Sequence, residues 1–254
     1  MPVNAVVIAT TTFSKTYDMR AKLAVKLVKA CAERGYPVVV VDGGSDAGFR
    51  GDLMAAGAEV CDEAGKGMGA ARRQAMTVAG EGAGPDGLVL WCEPEKYTIV
   101  PEIAKMEKVY GDTHADLVVP DRGPLDSYPI EQQLAEPLGN LAFERITGLK
   151  LDMWSGPRLM NQAALRHFLD YQGEYGDLWD CIFIPVLRAM KAGLKVVSAP
   201  INYVHPPEQT SAEETPEMLK KRVIQLNNLV PAMVDEAKKI GLIPLPQPAT
   251  QTAP

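Results

Sequence analysis

Short runs of apolar, largely β-branched residues alternate with longer helical patterns through the first 120 residues of the chain. The apolar runs are Ala5 to Ala9, Val38 to Val41, Ala58 to Cys61, Leu88 to Cys92 and Leu117 to Val119. Four consecutive valines form the second run, without the polar alternation of a strand that has one face in water. Between the first two runs, apolar residues recur at helical spacing from Met19 to Cys31. The pattern predicts an α/β fold in which a mostly parallel sheet has helices on both faces.

The pattern becomes mainly helical after about residue 121. It predicts a polar mobile loop over 121 to 133, then a helix through Leu134 to Ile146 and a compact turn at 154 to 158. A helix capped by Asn161, a helix after Asp180 and a last strand over 194 to 204 follow. Thr215 and Pro216 are typical of a helix start, and Pro231 is expected to kink or divide that helix. We therefore predict one domain over 1–206, a helical extension over 207–243 and a disordered tail over 244–254.

Composition and charge narrow the classes of partner. The chain has 254 residues, of which 46% are hydrophobic and 23% charged, the balance of an ordinary globular enzyme. Its formal net charge of -6 repels polyanions, so nucleic acid is not an expected partner. A phosphate ligand would have to be held by local donors or by a metal ion.

The spacing of the cysteines and the hydropathy of the chain indicate the cellular compartment of the protein. The four cysteines are widely spaced and form no C-x-x-C pair, which argues against a zinc site and against a disulfide framework. The N-terminus has no signal-peptide pattern, and no apolar run approaches the ~20 residues that span a bilayer. These features predict a cytoplasmic protein without a transmembrane segment, and they leave peripheral contact with a membrane open.

A glycine-rich turn follows the second predicted strand. The strand ends in Asp42 and runs directly into Gly43, Gly44 and Ser45. Ligands bind beyond the carboxyl ends of parallel strands, and glycines let them approach the backbone closely. The alternative is a simple strand-to-helix turn capped by Ser45 and Asp46, and the sequence leaves both interpretations open.

A second glycine-rich segment follows the third strand and opens a helix. Its backbone amides, from Gly65 onward, and Lys66 are suited to hold a phosphate, whereas Arg72 and Arg73 could also be a solvated helix face. The segment fits G-x-G-x-x-A, but a dinucleotide site has that fingerprint in the first strand-to-helix turn and an acid ending the next strand. Here the acid about 20 residues on, Asp86, precedes a strand. A phosphate site is therefore favoured over a dinucleotide site.

The fourth strand ends in two glutamates, Glu93 and Glu95, separated by Pro94. Two carboxylates at a strand end offer hard oxygen ligands to Mg²⁺ or Mn²⁺, and the proline fixes their spacing. His205, which follows the last predicted strand, is a candidate third ligand. The alternative is an acidic surface turn with a structural histidine.

Two acids and an arginine in the carboxyl-terminal half are candidates for catalysis. Asp177 and Asp180 lie one turn apart at a helix start, where a carboxylate either caps the helix or acts as a general base. Arg158, in the turn WSGPR, could offer its planar fork to an acceptor phosphate or carboxylate.

Taken in order, these segments resemble the family-two glycosyltransferases with the GT-A fold, including the dolichol-phosphate mannose synthase and glucosyl-3-phosphoglycerate synthase branches. The matching motifs are the turn DGGSD at 42–46, the G-K-G-x-x-x-A-R segment at 65–72, Glu93-Pro94-Glu95 in place of the D-x-D metal motif, and D-x-x-S-G-x-R at 152–158. The resemblance spans about residues 3 to 206. In two places the chain departs from the family: Gly43 replaces the second aspartate of D-D-G-S, and both metal-motif aspartates are glutamates.

The resemblance implies a GT-A-like, Rossmann-like sheet and transfer of a sugar from a nucleoside-diphosphate sugar to a small-molecule or lipid-linked acceptor. It places donor binding at Thr10, Asp42, Gly43, Gly65, Lys66, Arg72 and Glu93, a Mg²⁺ or Mn²⁺ ion at Glu93, Glu95 and His205, and catalysis at Asp177, Asp180 and Arg158. It also leaves a homodimer open.

Two other functions fit a sheet with acids at its strand ends. A nucleotidyltransferase usually has its glycine and lysine loop after the first strand, where this chain reads TTTFSKTYD. A non-catalytic regulator that binds a sugar nucleotide would suit the altered metal motif.

Overall fold

A seven-stranded mixed sheet lies at the centre of the structure, a computed structural model that describes residues 5–242. The strands are β1 Val6–Thr12, β2 Val38–Asp42, β3 Ala58–Asp62, β4 Leu88–Trp91, β5 Leu117–Asp121, β6 Arg158–Met160 and β7 Val196–Pro200. Their order is β3-β2-β1-β4-β6-β5-β7. β6 runs antiparallel to both of its neighbours, and the other pairs are parallel. The mostly parallel sheet predicted from the sequence is confirmed.

The helices alternate with the strands in the first half and dominate the second. They are α1 Met19–Ala32, α2 Ala47–Ala55, α3 Met68–Ala83, α4 Ile103–Thr113, α5 Ile130–Thr147, α6 Gln162–Leu169, α7 Asp180–Lys191, α8 Pro207–Glu213 and α9 Pro216–Lys239, with short 3-10 helices at Tyr97–Glu102 and Met153–Ser155. Asn161 caps α6 by accepting from the Ala164 amide, and Thr215 caps α9 by accepting from the Met218 amide. Both predicted caps are confirmed.

Both faces of the sheet are buried. Alternate valines of β2 contribute to two different cores: Val39 and Val41 pack with residues of α3, α6 and α7, whereas Val38 and Val40 pack with residues of α1, α2 and α4. A strand covered on both sides has no polar face, which explains the run of four valines.

The sequence pattern did not predict β6 or α8, and it placed the end of β7 too late in the chain. β6 was interpreted as part of a turn, because three residues after Pro157 carry too little periodicity to indicate a strand. β7 ends at Pro200, since proline has no amide to donate to the sheet, and the prediction to residue 204 was too long. α8 was not predicted, and Arg122 and Tyr128 are buried within the segment expected to be a free polar loop.

Pro231 does not divide the last helix, which continues to Lys239. Leu229, Ala232 and Met233, on either side of the proline, are buried in the core. Their packing holds the helix together across the hydrogen bond that Pro231 cannot make. The predicted extension thus contains α8 and α9, and its residue 243 and the predicted tail lie outside the described residues.

Within residues 5–242, no helix is both long and apolar enough to cross a membrane. The cysteines are free thiols, of which Cys31, Cys92 and Cys181 are buried and Cys61 is partly buried. Burial raises the pKa of Cys31 to about 12, which makes its thiol unreactive at neutral pH. Cys31, Cys92 and Cys181 are thus small residues of the hydrophobic core.

Candidate functional site

Two adjoining pockets lie beyond the carboxyl ends of the parallel strands. The first, here the β1 pocket, has a volume of about 280 Å³ and is lined by Thr11 to Ser14 at the end of β1 and by Phe49, Met68 and Arg72. The second, here the charged pocket, has a volume of about 70 Å³ and includes Lys96, Arg122, Glu136, His205, Glu213 and Arg222. Five residues line both pockets and form what we call the shared wall: Arg20, Glu93, Glu95, Trp179 and Lys221.

An aromatic ring stands at the rim of the β1 pocket. Phe13 follows β1 directly and is 65% exposed. Its ring packs over Gly43, where an added Cβ would lie only 2.9 Å from Phe13 Cδ2. Lys15 Nζ lies 4.9 Å from the ring centroid and donates to the Gly44 carbonyl. Gly43 therefore allows the Phe13 ring to lie across the turn.

Asp42 is turned inward rather than towards either pocket. Its fully buried carboxylate accepts from Thr12 Oγ1 at 3.1 Å and from the Ser45 amide at 3.1 Å, and Arg50 Nη1 lies 3.3 Å away. Thr10 is likewise buried within β1. These contacts hold the ends of β1 and β2 together. The geometry therefore favours a structural role for Asp42 in the strand-to-helix turn over contact with a ligand.

Of the three residues predicted from the glycine-rich segment to bind the donor, only Arg72, within α3, lines a pocket. Gly65 and Lys66 are exposed and lie outside both pockets. Arg72 lines the β1 pocket, where its guanidinium lies 5.2 Å from the Trp91 ring centroid and 4.4 Å from that of Trp179. Because Arg72 is only 4% exposed, it is not part of a solvated helix face.

Glu93 is directed into the turn that precedes β6. An added Cβ at Gly156 would overlap Glu93 Oε1, so that oxygen is packed against the glycine backbone. Lys96 Nζ lies 3.5 Å from Glu93 Oε2 and donates to the Ser155 carbonyl. Lys96 therefore links the glutamate motif to the turn.

Glu95 lies between the two pockets, as part of the shared wall. Burial and the neighbouring Glu93 raise the pKa of Glu95, while Arg20 opposes the shift. Arg20 is itself held by Glu213, at 2.6 Å. Glu95 is thus a carboxylate with a raised pKa at the point where the pockets meet.

His205 lies in the charged pocket and is buried. Its Nδ1 lies 2.8 Å from Thr210 Oγ1, and its ring centroid is 4.3 Å from that of Tyr128. Burial lowers the pKa of His205 to about 4, with Glu213 opposing the shift. The imidazole is therefore neutral at physiological pH.

Three cations face His205 in addition to the Glu213 carboxylate. Lys96, Arg122 and Arg222 all act to lower its pKa. Nowhere in residues 5–242 do three histidine, cysteine, aspartate or glutamate side chains lie close enough together to hold a metal ion. The structure thus places Glu93, Glu95 and His205 around one pocket without bringing them together as a ligand set.

The two acids at the start of α7 make structural contacts. Asp177 accepts hydrogen bonds from both terminal nitrogens of Arg73, at 2.5 and 2.8 Å. Asp180 accepts from the amides of Leu178 and Asp177, at 2.7 and 3.1 Å, and from the Tyr171 hydroxyl. Both acids lie outside the two pockets. The geometry favours an ion pair for Asp177 and stabilisation of the turn before α7 for Asp180 over a direct catalytic role.

Arg158 is fully buried and its fork is already in use. Nη1 donates to the Pro157 carbonyl at 2.7 Å and Nη2 to the Met153 carbonyl at 2.6 Å. Burial lowers the pKa of Arg158 to about 10. The structure therefore places both terminal nitrogens of Arg158 in contact with the turn at 153–157, an arrangement that does not favour the predicted acceptor-binding fork.

None of the five arginines and lysines that line the charged pocket was selected from the sequence. They are Arg20, Lys96, Arg122, Lys221 and Arg222. Arg122 follows the end of β5 and Lys96 follows the glutamate motif, so the strand-end signal could have indicated both. Lys221 and Arg222 come from α9, and only the packing of α9 against α5 brings them to the site.

No protein-family model matches the chain, and no curated protein sequence is significantly similar to it. Among solved structures it is similar to a crystal structure of M. tuberculosis glucosyl-3-phosphoglycerate synthase, with a TM-score of 0.59, 12% identity, and coverage of 92% of this chain and 81% of that one. A complex of that enzyme with Mn²⁺, UDP-glucose and phosphoglyceric acid matches with a TM-score of 0.55, 11% identity, and coverage of 88% and 80%. Another, with Mg²⁺ and UDP, matches with a TM-score of 0.53, 12% identity, and coverage of 88% and 79%. This chain therefore has the GT-A fold, as its sequence resemblance predicted.

Proposed function

We propose that this protein transfers a sugar from a nucleoside-diphosphate sugar to a small anionic acceptor. The observation that carries the proposal is the pair of pockets that meet at the shared wall. One pocket has an aromatic rim at the end of β1, and the other is lined by five cations and four glutamates, which leaves an excess of one positive charge. A donor in the first and an acceptor in the second would meet beside Glu95.

The β1 pocket suits the nucleotide. It lies at the carboxyl edge of the parallel strands, where open α/β sheets bind ligands. The exposed ring of Phe13 offers a face on which a base can stack. The diphosphate would then lie at the shared wall, near Arg20 and Lys221. The similar M. tuberculosis enzyme has been crystallised with UDP and with UDP-glucose, which supports a nucleoside diphosphate here.

The charged pocket suits an anion. Arg122 Nη1 and Arg222 Nε are buried and lack hydrogen-bond partners among the residues that the structure describes. Buried donors are normally paired, so these two guanidinium donors in one pocket indicate a ligand with oxygen acceptors. The similar enzyme has been crystallised with phosphoglyceric acid, and a phosphate or carboxylate acceptor fits this pocket by its charge.

The reaction breaks the bond between the anomeric carbon and a diphosphate oxygen, and the electron pair leaves with the diphosphate. The acceptor hydroxyl oxygen forms the new bond to that carbon and loses its proton to a base. Glu95 is the best-placed base, because it lies between the pockets and its pKa is raised by burial. Asp177, the base expected from the sequence, is paired with Arg73 outside both pockets.

The resemblance also implies Mg²⁺ or Mn²⁺, and both ions occur in complexes of the similar enzyme. Here Glu93 Oε1 is packed against Gly156 and Lys96 lies beside Oε2. His205 has its Nδ1 engaged by Thr210, and Lys96, Arg122 and Arg222 face it together with Glu213. The residues present therefore do not fit the three-ligand metal site predicted from the sequence, and the steps above involve none.

One set of assays tests the proposal against its two alternatives. Calorimetry with UDP, GDP, ADP, CDP and dTDP identifies the nucleotide, and mass spectrometry then detects products from the matching nucleotide sugars with small phosphorylated or carboxylated acceptors. Sugar transfer supports the proposal. Nucleotide binding without transfer or hydrolysis favours the regulator, and formation of a nucleotide sugar from a nucleoside triphosphate and a sugar phosphate favours the nucleotidyltransferase. Failure of all five diphosphates to bind would reject the proposal.

A further inference from the structure

We propose that fixed cations of the shared wall, rather than a divalent metal ion, hold the donor diphosphate in this protein. Arg20 and Lys221 would bind the diphosphate, and Lys96 would occupy the place beside Glu93 that a metal ion would otherwise take. This inference rests on the proposed function, because it concerns the donor of that reaction.

The first observation is the internal counter-ion of Glu93. Lys96 Nζ lies 3.5 Å from Glu93 Oε2 and is anchored by the Ser155 carbonyl. A divalent ion bound to that carboxylate would lie about 2.0 to 2.6 Å from the oxygen. The ion would then also lie close to the Lys96 ammonium group, which is held in place and carries charge of the same sign. Lys96 thus neutralises the carboxylate that would attract the metal ion and repels the ion itself.

The second observation is the pair of cations on the shared wall. Arg20 is held in place by Glu213 at 2.6 Å, yet 44% of its side chain remains exposed. Lys221 is exposed and makes no ion pair within residues 5–242. Both line the β1 pocket and the charged pocket, so both are available to a group that lies between them.

The chemistry needs positive charge and not a metal ion as such. When the bond from the anomeric carbon breaks, negative charge develops on the leaving diphosphate. Guanidinium and ammonium groups stabilise such charge when they are held in place beforehand, and a guanidinium fork matches the oxygens of a phosphate. Arg20 and Lys221 are positioned to supply this stabilisation.

The test measures the affinity for the nucleoside diphosphate that binds best among UDP, GDP, ADP, CDP and dTDP. Calorimetry is run on the full chain in EDTA and again with Mn²⁺, for the wild type, Arg20→Met and Lys221→Met. Lys22→Met and Lys220→Met are the matched controls, since both are exposed neighbours outside the pockets. Circular dichroism verifies that each variant is folded.

We expect the wild-type Kd to differ by less than threefold between EDTA and Mn²⁺. Arg20→Met and Lys221→Met should each weaken binding by about tenfold, the loss typical of a charge-assisted contact, while the controls stay within threefold. Strengthening of wild-type binding by Mn²⁺ beyond threefold would overturn the inference and leave the proposed function standing. Effects below threefold in both variants would overturn it as well. Binding of none of the diphosphates in either buffer would instead reject the proposed function.

Discussion

Lys96 Nζ lies 3.5 Å from Glu93 Oε2, and both side chains are largely buried between the end of β4 and the turn at 153–157. The acidic motif at the end of β4 therefore carries its own counter-ion. This relationship changes the chemistry of the motif, because one of its two carboxylates is already neutralised before any ligand arrives.

The Glu93–Lys96 pair should be visible in the stability of the protein. Lys96→Met leaves the Glu93 carboxylate buried without its partner, which should lower the free energy of unfolding by about 3 kcal/mol. The double variant Glu93→Gln with Lys96→Met should recover part of that loss. Urea unfolding measures the free energy of unfolding of each variant. Lys108→Met, which removes an exposed ion pair, is the control and should lower that free energy by less than about 0.5 kcal/mol. Additive losses in the double variant would show that the two side chains do not interact.

His205 should make the protein sensitive to acid. Its pKa is about 4 in the folded state, below the ordinary value of 6.5, so the unfolded chain binds the extra proton between these two pH values. The stability contributed by the neutral imidazole is fully present above pH 6.5 and is lost as the pH falls towards 4. A shift of this size corresponds to about 3 kcal/mol between pH 7 and pH 4. Urea unfolding of wild type and His205→Gln across this range should show a weaker pH dependence in the variant, and equal slopes would contradict the assignment.

Phe13 should contribute to nucleotide affinity but not to stability. The ring is 65% exposed, so Phe13→Ala should leave the melting temperature nearly unchanged. Loss of a stacking surface should weaken nucleoside diphosphate binding by about tenfold, within the range of about 1 to 3 kcal/mol per stacked base. Phe13→Tyr keeps the ring and is the matched control in the same calorimetric assay. An affinity of Phe13→Ala equal to that of wild type would remove Phe13 from the donor site.

Glu95 should matter for the chemical step more than for donor binding. Glu95→Gln keeps the size of the side chain but removes its ability to take a proton, so kcat should fall by about 100-fold or more. The Kd for the nucleoside diphosphate should stay the same or decrease, because a negative charge is removed from the wall that receives the diphosphate. Steady-state kinetics and calorimetry separate the two effects, and Glu59→Gln, on the exposed face of β3, is the control. A loss confined to donor affinity would argue against Glu95 as the base.

The sequence identified the framework of the site correctly where the signal was local. Glu93 and Glu95 do stand at the end of a buried strand, and His205 lies in the same pocket as both. Arg72, selected as a donor-site residue, also lines the β1 pocket. Their positions follow from where strands and helices end, and these ends are set by residues close together in the chain.

The roles of other residues depended on partners far away in the sequence or on burial, neither of which the local pattern shows. The partner of Asp177 is Arg73, which lies on α3 and is 104 residues distant. Asp42 is satisfied by Thr12 and Ser45, and Arg158 by carbonyls of its own turn after that turn is enclosed by the core. A polar residue at a strand end can thus face a ligand or the protein interior, and only burial distinguishes the two.

Periodicity and contacts within a few residues are enough to predict the alternating α/β pattern, the sheet covered on both faces and the caps of α6 and α9. Three features depend on the packed fold instead: β6 enters the sheet antiparallel between β4 and β5, α9 brings Lys221 and Arg222 to the site, and Lys96 neutralises Glu93. Burial and charge pairing arise between surfaces that meet in space, so residues close together in the chain do not specify them. The local pattern sets which faces are apolar, and the packing of those faces sets which charges are brought together.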